Sequence, residues 1–176
     1  MKTEQRCWSR EEGWSGNTTS GNLKDAQLVL LFGHPSNLKN ETLFKEIRQS
    51  YPNAYILSGS TAGEILKTRV YDDSLVATAI WFENTVIKTT HLKLKDRSDS
   101  LSIGEELVRV LDQEGLCHVF VLADGLNVNG SELVKGMVKH LPEGVKVTGG
   151  LTGDGGEFKE TLTGANQMPE SKMVIA

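Results

Sequence analysis

The chain has 176 residues, 38% of them hydrophobic and 24% charged, with a formal net charge of −4. That length suits one domain with a core of its own, and the composition is that of a folded chain, not a disordered one. The acidic balance argues against a general attraction to nucleic acid or to an anionic membrane surface, and neither a run of about 18 apolar residues nor the apolar core of a secretory signal occurs. The expected setting is the cytoplasm, with no membrane insertion and no nucleic-acid partner.

Residues 1–24 read as a variable polar leader. Trp8 and Trp14 stand there among charges and are expected to pack against the domain or a partner, because exposed large aromatics are costly. The run from Gly16 to Asn22 has no periodicity and reads as a linker. Cys7 and Cys117 lie far apart, and Cys117 opens a strand expected to be buried, so a disulfide framework is not expected. His34, His91, His118 and His140 lack the close spacing of zinc ligands.

Gln27–Phe32, rich in branched apolar residues, predicts the first strand, and Gly33-His34-Pro35-Ser36-Asn37 a turn with helix-start signals. Leu43, Phe44 and Ile47 share a helical face, and Pro52 ends that helix by disfavouring helical geometry at Tyr51. Tyr55–Leu57 predicts a short strand. Beyond it, Gly59, Ser60, Thr61 and Gly63 offer hydroxyls and backbone N–H groups able to hold a carboxylate or phosphate oxygen, and Glu64 could read an amino group. A bulged crossing between strands is the alternative. The segment lacks the lysine of a P-loop and the Gly-x-Ser-x-Gly of a hydrolase elbow.

Ser74–Phe82 and Thr85–Leu94, joined at Glu83-Asn84, predict a hairpin whose second strand is solvated on one face and leaves His91 at the surface. Ser98-Asp99-Ser100 predicts the cap of a helix with Ile103, Leu107, Val110 and Leu111 inward, ended by Gly115.

Val119–Leu122 is an unbroken apolar run and predicts a central strand covered on both faces. Asp124 and Gly125 stop it. Asn129, with Glu132 three residues on, marks the start of a helix whose apolar stripe is Leu133, Val134, Met137, Val138 and Leu141. Val145–Thr148 predicts a strand that feeds a glycine loop, Gly149–Gly156. Each glycine costs roughly 0.5–1 kcal/mol relative to alanine. A bound ligand is one reason to carry that cost, and tight turns between strands are another. Asp124 and Asp154 both follow a predicted strand, the place where ligands sit in α/β domains. The final residues, Lys172–Ala176, read as the start of a strand, whose open edge would favour self-association if its pairing strand lay elsewhere.

Leu28–Gly33, Gly59–Ile65, Ala123–Leu133 and Gly149–Asp154 follow one another in the order and spacing of a known family. Together they make residues 27–176 resemble the FIST N-terminal domain. The resemblance implies an intracellular sensory module of bacteria, archaea and some eukaryotes, binding small ligands such as amino acids. Some similar proteins bind haem and respond to nitric oxide. Similar chains continue into a C-terminal FIST domain, so residues 25–176 are expected to form a sensory domain truncated at its C-terminal end. That further domain, or a signalling output module, is the expected partner.

The predicted architecture is α/β or α+β, with a mixed sheet, packed helices and long glycine-rich loops. A doubly wound dinucleotide fold is disfavoured, since no Gly-x-Gly-x-x-Gly follows the first strand. Three functional readings follow. The first is a ligand pocket lined by residues 59–64, 124–130 and 149–158, using Gly59, Ser60, Thr61, Gly63, Glu64, Asp124, Gly125, Asn129, Gly149, Gly150, Thr152, Gly153, Asp154 and Phe158. In it Asp124 and Asp154 accept from a ligand ammonium, the glycine backbone receives a carboxylate, and Asn129 either joins in or only caps its helix. Replacing Asp154 by alanine is then expected to abolish binding and spare the fold. The second is a haem sensor with His118 or His34 as axial ligand, haem being the one cofactor considered. The third is an enzyme using Asp124 and Asp154 as an acid–base pair, although nothing marks a nucleophile, a cofactor or a metal triad.

Overall fold

In a computed structural model the described residues are 1–16 and 23–176; the linker read at Gly16–Asn22 lies, from Asn17 on, outside them. The chain opens with a hairpin, β1 (Lys2–Ser9) and β2 (Gly13–Ser15), followed by β3 (Leu28–Gly33), α1 (Pro35–Leu38), α2 (Glu41–Ser50) and β4 (Tyr55–Ser60). A second small hairpin, β5 (Glu64–Leu66) and β6 (Arg69–Tyr71), leads to β7 (Leu75–Trp81), β8 (His91–Lys93) and α3 (Ser100–Val110). Then come β9 (His118–Ala123), α4 (Gly130–Val138), β10 (Lys146–Leu151), β11 (Thr163–Ala165) and β12 (Met173–Ile175).

The strands form two mixed sheets, ordered β11-β4-β3-β7-β1-β2 and β10-β9-β12-β8, with β5-β6 apart. In the larger sheet β3 and β4 are parallel, joined through α1 and α2, while β7 runs antiparallel to β3. In the smaller sheet β9 and β10 are parallel, joined through α4, and β12 is antiparallel to β9. Alternation along each strand then builds four layers. Val29 and Leu31 of β3 enter a core with Leu38, Leu43 and Ile47 of the first two helices. Leu28, Leu30 and Phe32, on the opposite face, meet Phe120 and Leu122 of β9 between the sheets. Val119 and Val121 turn the other way, onto Leu107 of α3 and Leu133 and Met137 of α4. Helices thus flank two sheets, an α+β arrangement with mixed strands, as the sequence pattern led one to expect.

Helix starts follow local chemistry. The His34 side chain accepts from Ser36 N to cap α1, Asn40 accepts from Thr42 N and Leu43 N to cap α2, and Asn129 accepts from Glu132 N to cap α4. At α3 the expected cap differs: Asp99 holds the N-cap position without a side-chain bond, and Asp96 instead caps the short turn before it. The two helices α3 and α4 touch through glycines. A Cβ on Gly104 would lie 2.2 Å from Leu133 O, and one on Gly136 would lie 2.1 Å from Leu101 O.

Several expectations change. The hairpin expected from residues 74–94 does not form, because β7 pairs with β3 and β1 whereas β8 pairs with β12 in the other sheet. Glu83-Asn84 supplies no hairpin turn, and each strand finds a longer-range partner with a face to bury. The polar leader supplies two strands, because the alternation of Glu4 with its neighbours hides Glu4 against α2 while Trp8 and Trp14 pack on the same core. Cys117 is exposed, since β9 begins one residue later; the buried cysteine is Cys7. Strand β10 runs through Gly149 and Gly150, so the loop begins only after Leu151. Val110, Val134 and Val138, expected inward, are 54%, 42% and 59% exposed, because the close α3–α4 contact leaves each helix only a narrow buried stripe. The last strand, β12, is paired on both sides, so it offers no open edge.

Candidate functional site

The strand ends decide where a site can be. β3 and β4 are neighbouring parallel strands, and their carboxyl ends deliver His34 and Thr61 side by side, with Thr61 N donating to Gly33 O at 3.1 Å. The loop after β10 comes across to the same place, where Gly153 N donates to Ser60 O at 2.9 Å. The strand β6 returns Asp72 and Asp73 beside them. These segments enclose a cavity of about 200 Å³ lined by His34, Thr61–Glu64, Asp72–Asp73 and Asp154–Glu157.

The walls are held by saturated carboxylates. Glu64 is 2% exposed, with Oε1 accepting from Thr61 Oγ1 at 2.7 Å and Oε2 accepting from Ser74 N at 3.1 Å and Ser74 Oγ at 2.7 Å. Asp154 accepts from Phe158 N at 3.2 Å through Oδ1, and from Lys159 N at 2.6 Å and Glu160 N at 2.9 Å through Oδ2. The Glu160 N–H first, with those of Lys159 and Phe158, holds the Asp154 carboxyl below the usual carboxylate range against the opposing effect of burial. Asp72 and Asp73 are exposed, and Asp73 Oδ1 stands 3.7 Å from His34 Nδ1. His34 Nδ1 accepts the cap bond from Ser36 N at 3.3 Å, an arrangement that favours the tautomer with its proton on Nε2.

Of the residues expected at a site, Thr61, Gly63, Glu64 and Asp154 line this cavity. The others serve elsewhere in the structure. Gly59 faces the space between the sheets, against Thr152 and Phe32. Ser60 is fully buried and its Oγ accepts from Leu162 N. Asp124 is fully buried away from the cavity, accepting from Leu126 N, Asn127 N, Asn127 Nδ2, Thr161 Oγ1 and Lys172 N. Gly125 packs on the Thr152 carbonyl, and Thr152 N donates to Ala123 O. Asn129 caps α4, Gly149 and Gly150 lie within β10, and Gly153 makes the bond to Ser60. Phe158 is 75% exposed with φ at 53°.

The sequence reading missed His34, Asp72 and Asp73 as lining residues, whereas Ala62 and Glu157 fall within the segments 59–64 and 149–158 that it drew. Only His34 carried a local signal, its place at the end of a strand. Asp72 and Asp73 arrive through a hairpin whose position no local pattern reports.

The same geometry bears on the other two readings. Asp124 and Asp154 each direct both oxygens at hydrogen-bond donors of their own loops, which makes each the anchor of its turn. As axial haem ligands the histidines do not fit. His34 holds the α1 cap beside a cavity of about 200 Å³, below the roughly 300 Å³ at which cofactor pockets begin. His118 is exposed, with Nε2 2.7 Å from Thr148 Oγ1. Among the described residues no three His, Cys, Asp or Glu side chains are grouped to hold a metal ion, and no helix is long and apolar enough to cross a membrane.

In comparison with known proteins, the family model described as the FIST N domain matches residues 27–176. No curated protein and no solved structure matches.

Proposed function

Because the chain belongs to the FIST N domain family, a family of signal-transduction sensory domains, we propose that it receives a small ligand in the cavity at the ends of β3 and β4. The observation that carries this reading is the convergence of three separate chain segments, with His34, on one cavity of about 200 Å³. That volume suits a ligand the size of one amino acid and is small for a nucleotide. Its lining offers a ring N–H on His34 and open carboxylates at Asp72 and Asp73, the two kinds of partner an amino acid needs. The setting we propose is the cytoplasm, with a C-terminal FIST domain or an output module as the partner that reads the bound state; the family resemblance supports both.

A thermal-shift titration against the amino acids and related small compounds tests this. At 100 times its dissociation constant a ligand adds about 2.7 kcal/mol to stability, a rise of roughly 2–4 °C per kcal/mol in a domain of this size. Ala62 lines the cavity and is exposed, so Ala62→Trp fills the space without entering the core. The shift is expected to vanish in that variant while its unliganded melting point stays put. A shift that survives the tryptophan places the ligand elsewhere and ends this reading.

A further inference from the structure

We propose that the open edge of β10 pairs antiparallel with β10 of a second copy of this chain, joining the two smaller sheets into one and packing their α4 helices side by side.

The sheet edges are unequal. β2, β8 and β11 end their sheets with three residues each, a length that offers another strand little to pair with. β10 ends the smaller sheet with six, Lys146–Leu151, and five of the six are exposed. Backbone groups alternate in direction along a strand. Thr152 N donates inward to Ala123 O of β9, so the N–H and C=O groups of Val147, Gly149 and Leu151 point away from the sheet. Among the described residues no turn or loop bonds to them. The strand holds no proline, and its one charge is Lys146 at its start, so it lacks the usual devices that keep an edge unpaired.

An apolar strip runs beside this edge. Leu133 and Met137 of α4 face the core, and Gly136 faces α3. At about 3.6 residues per turn, Val134 and Val138 then fall on the flank away from α3, on the free side of β10. Gly130 lies in line with them one turn earlier, and a Cβ there would stand 3.4 Å from the Leu151 side chain. Val134, Val138 and Leu151 are all exposed, so the open backbone groups and the strip form one surface.

A foreign strand would cover only the backbone edge, whereas a second copy covers both features at once. A two-fold axis through the edge keeps helix-side residues on the helix side, so Val147, Gly149 and Leu151 pair among themselves. Centred on Gly149, the pairing sets Val147 opposite Leu151 of the second copy and uses all three outward residues. It leaves the two Lys146 residues about 20 Å apart along the strands, so no like charges meet there. α4 joins β9 to β10 and lies over that pair. With strands about 4.8 Å apart, the two α4 helices come to lie about 10 Å from each other, a helix-packing distance.

Sedimentation equilibrium of the full chain between about 1 and about 100 μM is expected to show the mass rising from 19.3 kDa to twice that value. Val134→Glu combined with Val138→Glu changes two exposed helix positions, so circular dichroism should hold while the dimer dissociation constant rises about tenfold or more. Leu151→Lys, on the strand, is expected to do the same, and Val86→Glu, an exposed valine outside β10 and α4, to leave the dimer unchanged. Amide exchange separates edge pairing from helix contact alone: Val147, Gly149 and Leu151 should be protected in the dimer and unprotected in the double variant. A chain still at 19.3 kDa at about 100 μM, a dimer untouched by the α4 and Leu151 variants, or a dimer whose three outward amides exchange freely overturns the proposal.

Discussion

The Asp124 carboxylate accepts the backbone N–H of Lys172 at 2.5 Å, joining the end of β9 to the start of β12 across 48 positions of sequence. The same Oδ2 takes Asn127 Nδ2, while Oδ1 takes Leu126 N, Asn127 N and the Thr161 hydroxyl. Every partner is a donor, and the side chain is fully buried. Asp124→Asn keeps the shape but turns one oxygen into a donor facing donors. Leaving buried donors unpaired costs about 1–3 kcal/mol for each, so a loss of about 3 kcal/mol or more is expected. Urea denaturation checks it; a variant as stable as the parent would show that Asp124 does not hold the loop.

Asp154 gives a second prediction, in acid. Its pKa is depressed in the folded chain, chiefly by the Glu160 N–H and then by those of Lys159 and Phe158. A group lowered by folding adds stability above its unfolded value, about 3.9, and loses that stability as the pH falls through the folded value. Protection of the Phe158, Lys159 and Glu160 amides, taken against the unstructured exchange rate at the same pH, should therefore fall below about pH 4, and in Asp154→Asn it should be low already at neutral pH. The expectation that Asp154→Ala spares the fold is revised by this geometry: the loop it anchors is a cavity wall, so ligand binding and loop order should fall together.

Much of this arrangement can be read from local pattern. Val119–Leu122 becomes a buried inner strand because four apolar residues in a row need cover on both faces, and Asn129 becomes a cap because its amide oxygen reaches the N–H of Glu132. Partner choice is another matter. Whether residues 75–81 pair with residues 91–93 or with β1 and β3 depends on surfaces far apart in sequence, and alternation reports only which face is apolar. The cavity divides the same way. Thr61–Glu64 and Asp154–Gly156 announce themselves through glycines and small hydroxyls, whereas Asp72 and Asp73 look like an ordinary turn until β5 and β6 place them.

The N-terminal strands supply a third prediction. The Tyr51 hydroxyl donates to Glu4 Oε1 at 2.8 Å, and Glu4 Oε2 accepts from Leu23 N at 2.9 Å, which ties β1 to the end of α2. Tyr51 is fully buried, and burial first, then the Glu4 carboxylate, pushes its pKa well above the usual tyrosine value. With the folded pKa above the unfolded one, this contribution is present below about pH 10 and is lost as the pH climbs toward the folded value. Tyr51→Phe should cost about 1.5–3 kcal/mol, the range for a hydrogen bond to a charged group. It should also flatten the alkaline loss of stability measured by thermal melts between neutral pH and about pH 11; an unchanged alkaline limb would assign that loss to other groups.

The α3–α4 contact supplies the last. Gly104 sits where α3 crosses α4, and an added methyl carbon would stand 2.2 Å from Leu133 O and 3.1 Å from Met137 N. Both neighbours are backbone, so the helix itself must move, and that movement would open the core that Leu107, Leu133 and Met137 share with Val119 and Val121. Overpacking of this kind costs about 1–3 kcal/mol, and an overlap this close with backbone belongs at the upper end, which outweighs the roughly 1 kcal/mol that alanine's better helix propensity returns. Gly104→Ala is expected to lower stability by about 2 kcal/mol, whereas Gly115→Ala changes a position with open space around it and pays only for its positive φ of 68°. Comparing the two variants by urea denaturation separates steric crowding from backbone strain. Equal losses would mean that the helices can part at little cost, and that the glycine contact does not set their spacing.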